Sequence, residues 1–123
     1  MRAIRSKNTK PELAVRSLTH GLGFRFRLHR ADLPGKPDLT FSRKRKLIFV
    51  HGCYWHGHGC RAVANPPKTN REYWVNKIAY NRERDRTNGG KLRAAGWRIL
   101  IIWECELKDT MKVAGKIRQF LRD

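Results

Sequence analysis

Between His51 and Cys60 the chain places three histidines and two cysteines, and a third cysteine, Cys105, follows an apolar run farther on. Cys53, His58 and Cys60, taken with Cys105, are four nitrogen and sulfur donors. That is the set tetrahedral Zn2+ takes in a closed structural site. The gaps within the loop differ from the two-residue spacing of finger motifs, and Cys53 and Cys105 also read as small core residues. Three donors in one glycine-rich loop are harder to explain in that way. His51 and His56 lie in the same stretch, so six candidates compete for four places. Spacing does not say which two are left over for proton transfer near neutral pH.

A second kind of chemistry begins at Pro37-Asp38, which follows the turn Leu33-Pro34-Gly35-Lys36 and precedes an apolar segment. A carboxylate at the lip of a sheet can hold a hard cation such as Mg2+, with water and phosphate completing its shell. Taken alone, this dipeptide reads first as a turn aspartate. Glu12 explains itself as the partner of Thr9 in a capping box. Tyr54-Trp55 and Tyr73-Trp74 flank the metal loop. Trp55 stands among polar residues and glycines, where a core role is hard to sustain and an apolar wedge between base steps fits better.

The partner these groups act on is indicated by charge. Among 123 residues, 28 are Lys or Arg and 10 are Asp or Glu, a formal net charge of +18. Such an excess repels itself in the folded state and calls for a polyanion. Basic residues fall into groups: Arg25, Arg27 and Arg30; Arg43 to Lys46; Arg82, Arg84 and Arg86. Groups of this kind grip phosphates without reading sequence. No apolar run approaches the roughly 20 residues of a membrane span, and the basic N-terminus has no apolar stretch behind it. A soluble, cytoplasmic protein is expected, with reduced cysteines that serve as ligands rather than cross-links.

Position is set by the surrounding elements. Thr9 and Glu12 open a helix closed by Gly21. Phe24 to Leu28 alternates apolar and basic residues as a half-buried strand does. Leu39 to Phe41 and Leu47 to Val50 read as strands joined by the basic hairpin Ser42 to Lys46. Thr69 and Glu72 open a second helix through Trp74 and Ile78, extending to about Arg86. Asn88-Gly89-Gly90 is expected to break it, with a short helical continuation from Leu92 to Ala95 ended by Gly96. Trp97 to Trp103 reads as a central strand buried on both faces, and Thr110 to Leu121 as a last helix capped by Asp109. The order α-β-β-β-α-β-α predicts one α/β domain over residues 1–123, a mixed central sheet flanked by helices.

The run Phe49-Val50-His51-Gly52-Cys53-Tyr54-Trp55-His56-Gly57-His58-Gly59-Cys60 resembles the signature loop of the very short patch repair endonucleases. Leu33 to Asp38, Glu72-Tyr73-Trp74 to Lys77, Asn81 to Asp85, and Gly96 to Leu100 through Trp103-Glu104-Cys105 match in the same order. The resemblance implies a restriction-endonuclease-like fold and the nicking of one DNA strand 5′ of the thymine in a T:G mismatch. By this likeness Asp38 matches the metal-binding aspartate and His56 the catalytic histidine. His51 and Glu12 match residues that assist around the metal and its waters. Cys53, His58, Cys60 and Cys105 match the ligands of a structural zinc, and Tyr54, Trp55 and Trp74 the aromatics that wedge into the duplex. Val50 stands where the family typically has threonine. If that position supplies its backbone carbonyl to Mg2+, the change is tolerable, because every residue has that oxygen. Before Met1-Arg2-Ala3-Ile4, relatives usually have a further basic stretch that helps embrace DNA.

The expectation is therefore a monomeric, Mg2+-dependent endonuclease acting on mismatched double-stranded DNA, with zinc stiffening its histidine loop. Two rivals remain open: a zinc-stabilised DNA-binding module without catalysis, and a nuclease of the same fold with another DNA target.

Overall fold

In the computed structural model, residues 9–28, 30, 32–52 and 71–122 are described. Helix α1 spans Lys10–Gly21, and strands β1, β2 and β3 span Arg27–Leu28, Leu39–Phe41 and Lys46–His51. Helix α2 spans Arg71–Ala94, strand β4 Arg98–Trp103, and helix α3 Thr110–Arg122. A short 3-10 helical turn, Glu104–Lys108, lies between β4 and α3. The sequence pattern had placed no element there.

The strands form one mixed sheet in the order β1-β2-β3-β4. β1 and β2 pair antiparallel, as do β2 and β3, while β3 and β4 run parallel. A tight hairpin suffices for the antiparallel pair, but parallel strands need a crossover, which carries α2. One sheet face presents Leu39, Phe41, Ile48 and Ile102 to Val15 of α1 and to Val113, Ile117 and Leu121 of α3. The other gathers Leu47 with Leu92 and Trp97. Both faces are thus covered by helices, as the α/β reading requires.

Several local expectations hold for the reasons given. The Thr9 hydroxyl accepts from the Glu12 N–H at 3.4 Å, and the Asp109 carboxylate accepts from the Lys112 N–H at 3.1 Å. Gly96 ends α2 in the left-handed region at φ 94°, where a side chain would be strained. The second capping residue, Thr69, lies outside the described residues.

Three expectations are corrected. The apolar run in β4 is not central: β4 is an edge strand, and β3 has partners on both sides. Apolar side chains report on what covers the faces of a strand, not on whether a neighbour pairs with each edge. The first strand is shorter than its alternation suggests. Among the described residues only Arg27 and Leu28 pair, opposite Thr40 and Leu39, because β2 offers three residues before its hairpin turns away. Phe26 still meets Phe41 edge-on, with ring centroids 6.0 Å apart.

Finally, Asn88-Gly89-Gly90 does not break α2, which runs unbroken for 24 residues. Two interior glycines cost about 1 kcal/mol each relative to alanine, but anchoring by the buried Leu92 offsets this. Asn88 also packs on the preceding turn, its side chain 3.4 Å from where a Gly35 Cβ would stand. Gly90 has open space around its Cβ position. Gly90→Ala is therefore expected to stabilise the fold by about 0.5–1 kcal/mol, since alanine loses less backbone entropy in a helix. Urea denaturation would read this, and a loss of stability would mean that the helix ends there.

Candidate active site

Asp38 stands immediately before β2, and His51 ends β3 at the same rim of the sheet. The antiparallel register pairs Leu39 with Ile48, which brings Asp38 beside the last residues of β3. One Asp38 carboxylate oxygen accepts the Val50 N–H at 2.7 Å. This bond positions the carboxylate on the rim and ties it to the residue preceding His51. A charged acceptor makes such a bond stronger than a neutral one.

His51 is buried, with 6% of its surface exposed. Its ring meets Trp103 edge-on at 5.2 Å and Phe49 at 5.7 Å. The parallel register places His51 opposite Trp103, so the stacking follows directly from strand pairing. His51 also lines a cavity of about 160 Å3 with Asp85, Asn88 and Arg93. The sequence reading assigned these three no role. The signal available was the stretch Asn81 to Asp85, whose turn of α2 passes over the end of β3.

Glu12 sits on α1, 2% exposed, in an ion pair with Arg16 one turn on. The pair offsets the penalty of burying its charge. At the cap it is the Glu12 N–H that donates to the Thr9 hydroxyl, while its carboxylate is engaged by the Arg16 guanidinium.

Cys105 lies half-buried in the 3-10 turn just past Trp103. The glycine-rich loop leaves the sheet after His51, and Trp103 is the partner of His51 across the parallel pair. The loop's point of departure and Cys105 thus share one rim. Cys53, Tyr54, Trp55, His56, His58, Cys60 and the Trp74 side chain lie outside the described residues. Among the described residues, no three His, Cys, Asp or Glu side chains gather in one place, and no helix is long and apolar enough to cross a membrane.

The basic groups divide by what they touch. Arg30 pairs with Asp32, and its hydrogen bond holds the Asp32 carboxyl below the usual carboxylate range. Arg45 lies over the Trp97 ring at 4.4 Å and donates to the Ala95 carbonyl at 2.6 Å. Lys46, expected to grip phosphate, is instead 2% exposed and donates to the Phe120 carbonyl at 2.5 Å. The first residue of β3 points into the layer under α3, where the lysine stem packs and its ammonium is hydrogen-bonded by a backbone carbonyl. Arg86 pairs with Glu83. Arg25, Arg27, Arg43 and Lys44 are exposed and make no ion pair among the described residues.

A mixed sheet thus carries a tethered rim carboxylate and a buried histidine on a strongly basic chain, which suits an enzyme acting on a polyanion. The family model described as DNA mismatch endonuclease Vsr matches residues 1–62. The chain is 52% identical over 121 residues to the type II nicking enzyme V.XorIIP of Xanthomonas oryzae pv. oryzae, covering 98% of this chain and 88% of that protein. It is 44% identical over 116 residues to the DNA mismatch endonuclease Vsr of Escherichia coli (strain K12), covering 94% and 74%. With the type II nicking enzyme V.NmeAIP of Neisseria meningitidis it shares 38% identity over 123 residues, covering 100% and 87%. The chain belongs to the DNA mismatch endonuclease Vsr family. It is a DNA endonuclease, and DNA is its substrate.

Proposed function

We propose that this chain nicks one strand of duplex DNA on the 5′ side of the thymine in a T:G mismatch, acting as a monomer and as a single domain over residues 1–123. Support comes from the relatives: one is named a mismatch endonuclease, and others are named nicking enzymes. The observation that carries the reading is the Asp38 carboxylate tethered at 2.7 Å to the Val50 N–H, next to His51.

The rim suits Mg2+ by its donor chemistry. A carboxylate and a backbone carbonyl are hard oxygen donors, and Mg2+ commonly takes one or two such ligands while keeping several waters. Asp38 and the Val50 carbonyl are the groups that would hold it. Valine in place of threonine leaves that carbonyl unchanged. When bound, the ion supplies a positive charge against the negative charge that builds on the scissile phosphate.

The chain's own residues do the rest. A water oxygen attacks phosphorus and the bond to the 3′ oxygen breaks, leaving a 5′-phosphate and a 3′-hydroxyl. His56 moves the proton, taking it from the water or delivering it to the leaving oxygen. His51, held between Phe49 and Trp103, and Glu12, paired with Arg16, orient waters around the site. Tyr54, Trp55 and Trp74 wedge into the duplex beside the mismatch. Cys53, His58, Cys60 and Cys105 are the residues that would hold a structural zinc, which would stiffen the loop carrying the histidines. The shared rim of Cys105 and that loop favours this ligand set.

The test compares T:G, T:A and C:G duplexes in Mg2+. Nicking confined to the T:G duplex, 5′ of the thymine, is the expected result. Equal cutting of paired DNA would point to a nuclease with another target, and binding without cleavage in any divalent cation to a non-catalytic module.

A further inference from the structure

Two basic groups that lie apart in the sequence converge in the fold. Arg25 and Arg27, on the segment entering β1, and Arg43 and Lys44, at the β2–β3 hairpin, line one open groove of about 1010 Å3. Among the described residues, no acidic side chain lines it. All four cations are exposed, and none has an ion-pair partner among the described residues. Their sequence neighbours Arg30, Arg45 and Lys46 are engaged elsewhere, with Asp32, Trp97 and the Phe120 carbonyl. The four left over share one concave surface. The floor is formed in part by Thr40, whose buried hydroxyl has no hydrogen-bond partner among the described residues.

The groove is not the nicking rim. β2 starts after Asp38 and ends at Phe41, so Asp38 and Arg43 lie at opposite ends of that strand. Only Leu39–Phe41 is strand and Ser42 to Arg45 is turn, so the two ends lie roughly 10–13 Å apart at ~3.3 Å per residue, or about three to four steps of a DNA strand at ~3.4 Å each. β1 is the edge strand of the sheet beside β2, so a duplex lying along that edge passes both ends. Four unneutralised cations with no acid among them favour a polyanion, and the spacing matches the flank of the same duplex.

We infer that Arg25, Arg27, Arg43 and Lys44 bind the phosphate backbone of the substrate duplex about three to four nucleotide steps from the nicked step. The inference rests on the reading that duplex DNA is engaged at the Asp38 rim. The groove sets affinity and salt dependence, and the rim sets chemistry.

The experiment measures salt-dependent binding of T:G duplexes without divalent cation, so a failure of the nicking reading shows in the assay above and leaves this one readable. One duplex extends about a full turn, roughly 10 base pairs, on both sides of the mismatch. Two others are cut back to about two base pairs on one side or the other, short of the groove's reach. The variant replaces the four cations with glutamine. A control replaces Lys108, Lys112, Arg118 and Arg122, exposed cations of the 3-10 turn and α3. On the full duplex the groove variant is expected to flatten the salt slope by about 3–4, at ~0.9 per phosphate contact, while the control keeps the slope. On one of the cut-back duplexes, wild type and groove variant should bind alike. An unchanged slope, an equal loss on all three duplexes, or an equal loss in the control would overturn the inference.

Discussion

Asp38→Asn is expected to lower the rate of T:G nicking by at least about 10³-fold, the scale on which removing transition-state charge stabilisation acts. The choice of asparagine matters because Asp38 has a structural task as well. Its carboxylate accepts the Val50 N–H at 2.7 Å, and an amide oxygen can still accept that bond. The variant therefore removes the charge that would hold Mg2+ while leaving the rim tied together. Its thermal midpoint should stay close to wild type, and its affinity for mismatched DNA within a few-fold.

Asp38→Ala removes both. It leaves the Val50 N–H without its acceptor, at about 1–3 kcal/mol if that group stays buried. A stability loss confined to the alanine variant, with activity lost in both, separates the two roles. Near wild-type nicking by Asp38→Asn would show that the carboxylate holds no catalytic cation.

The second large effect concerns zinc. Cys105→Ser is expected to bring bound zinc well below one ion per chain and to reduce nicking by about 10²-fold or more. Structural zinc binding is itself folding free energy, on the order of 10 kcal/mol in small zinc domains, and a serine hydroxyl is a poor substitute for thiolate. Cys105 is half-buried in the 3-10 turn and belongs to neither core cluster. Far-UV circular dichroism should therefore keep the signal of the sheet and helices while metal analysis shows the loss. Retained zinc with retained activity would remove Cys105 from the ligand set.

Much of the local structure was legible because it depends on neighbours in sequence. Thr9 and Asp109 cap their helices through side chains that reach backbone N–H groups three residues on, and Gly96 ends α2 where φ turns positive. The errors have one origin. Trp97 to Trp103 was read as central because its side chains are apolar, yet being central depends on lateral pairing. Asn88-Gly89-Gly90 was read as a break because propensity is local, yet Leu92 buries against Leu47 and Trp97 and carries the helix through.

The site divides in the same way. Donor types in the loop and an excess of cations could be recognised from residue chemistry alone, whereas Asp38 reads alone as a turn residue and was singled out by the family resemblance. The residues given roles at the rim could be named, but how they meet could not. The Asp38 bond to Val50 depends on the β2–β3 register, and the packing of His51 on Trp103 depends on the parallel pairing of strands separated by α2. The sorting of cations was equally hidden. Lys46 and Lys44 are alike in sequence, but one is buried beneath α3 and the other is exposed on a groove.

Composition and short-range pattern therefore determined that this chain handles a polyanion, which elements it builds and which residue types can do its chemistry. Tertiary structure decided which of those residues meet, which cations remain available and where the two basic segments converge. The physical reason is distance along the chain: caps, turns and charge act within a few residues, whereas a site is assembled by strand register and helix packing between segments tens of residues apart.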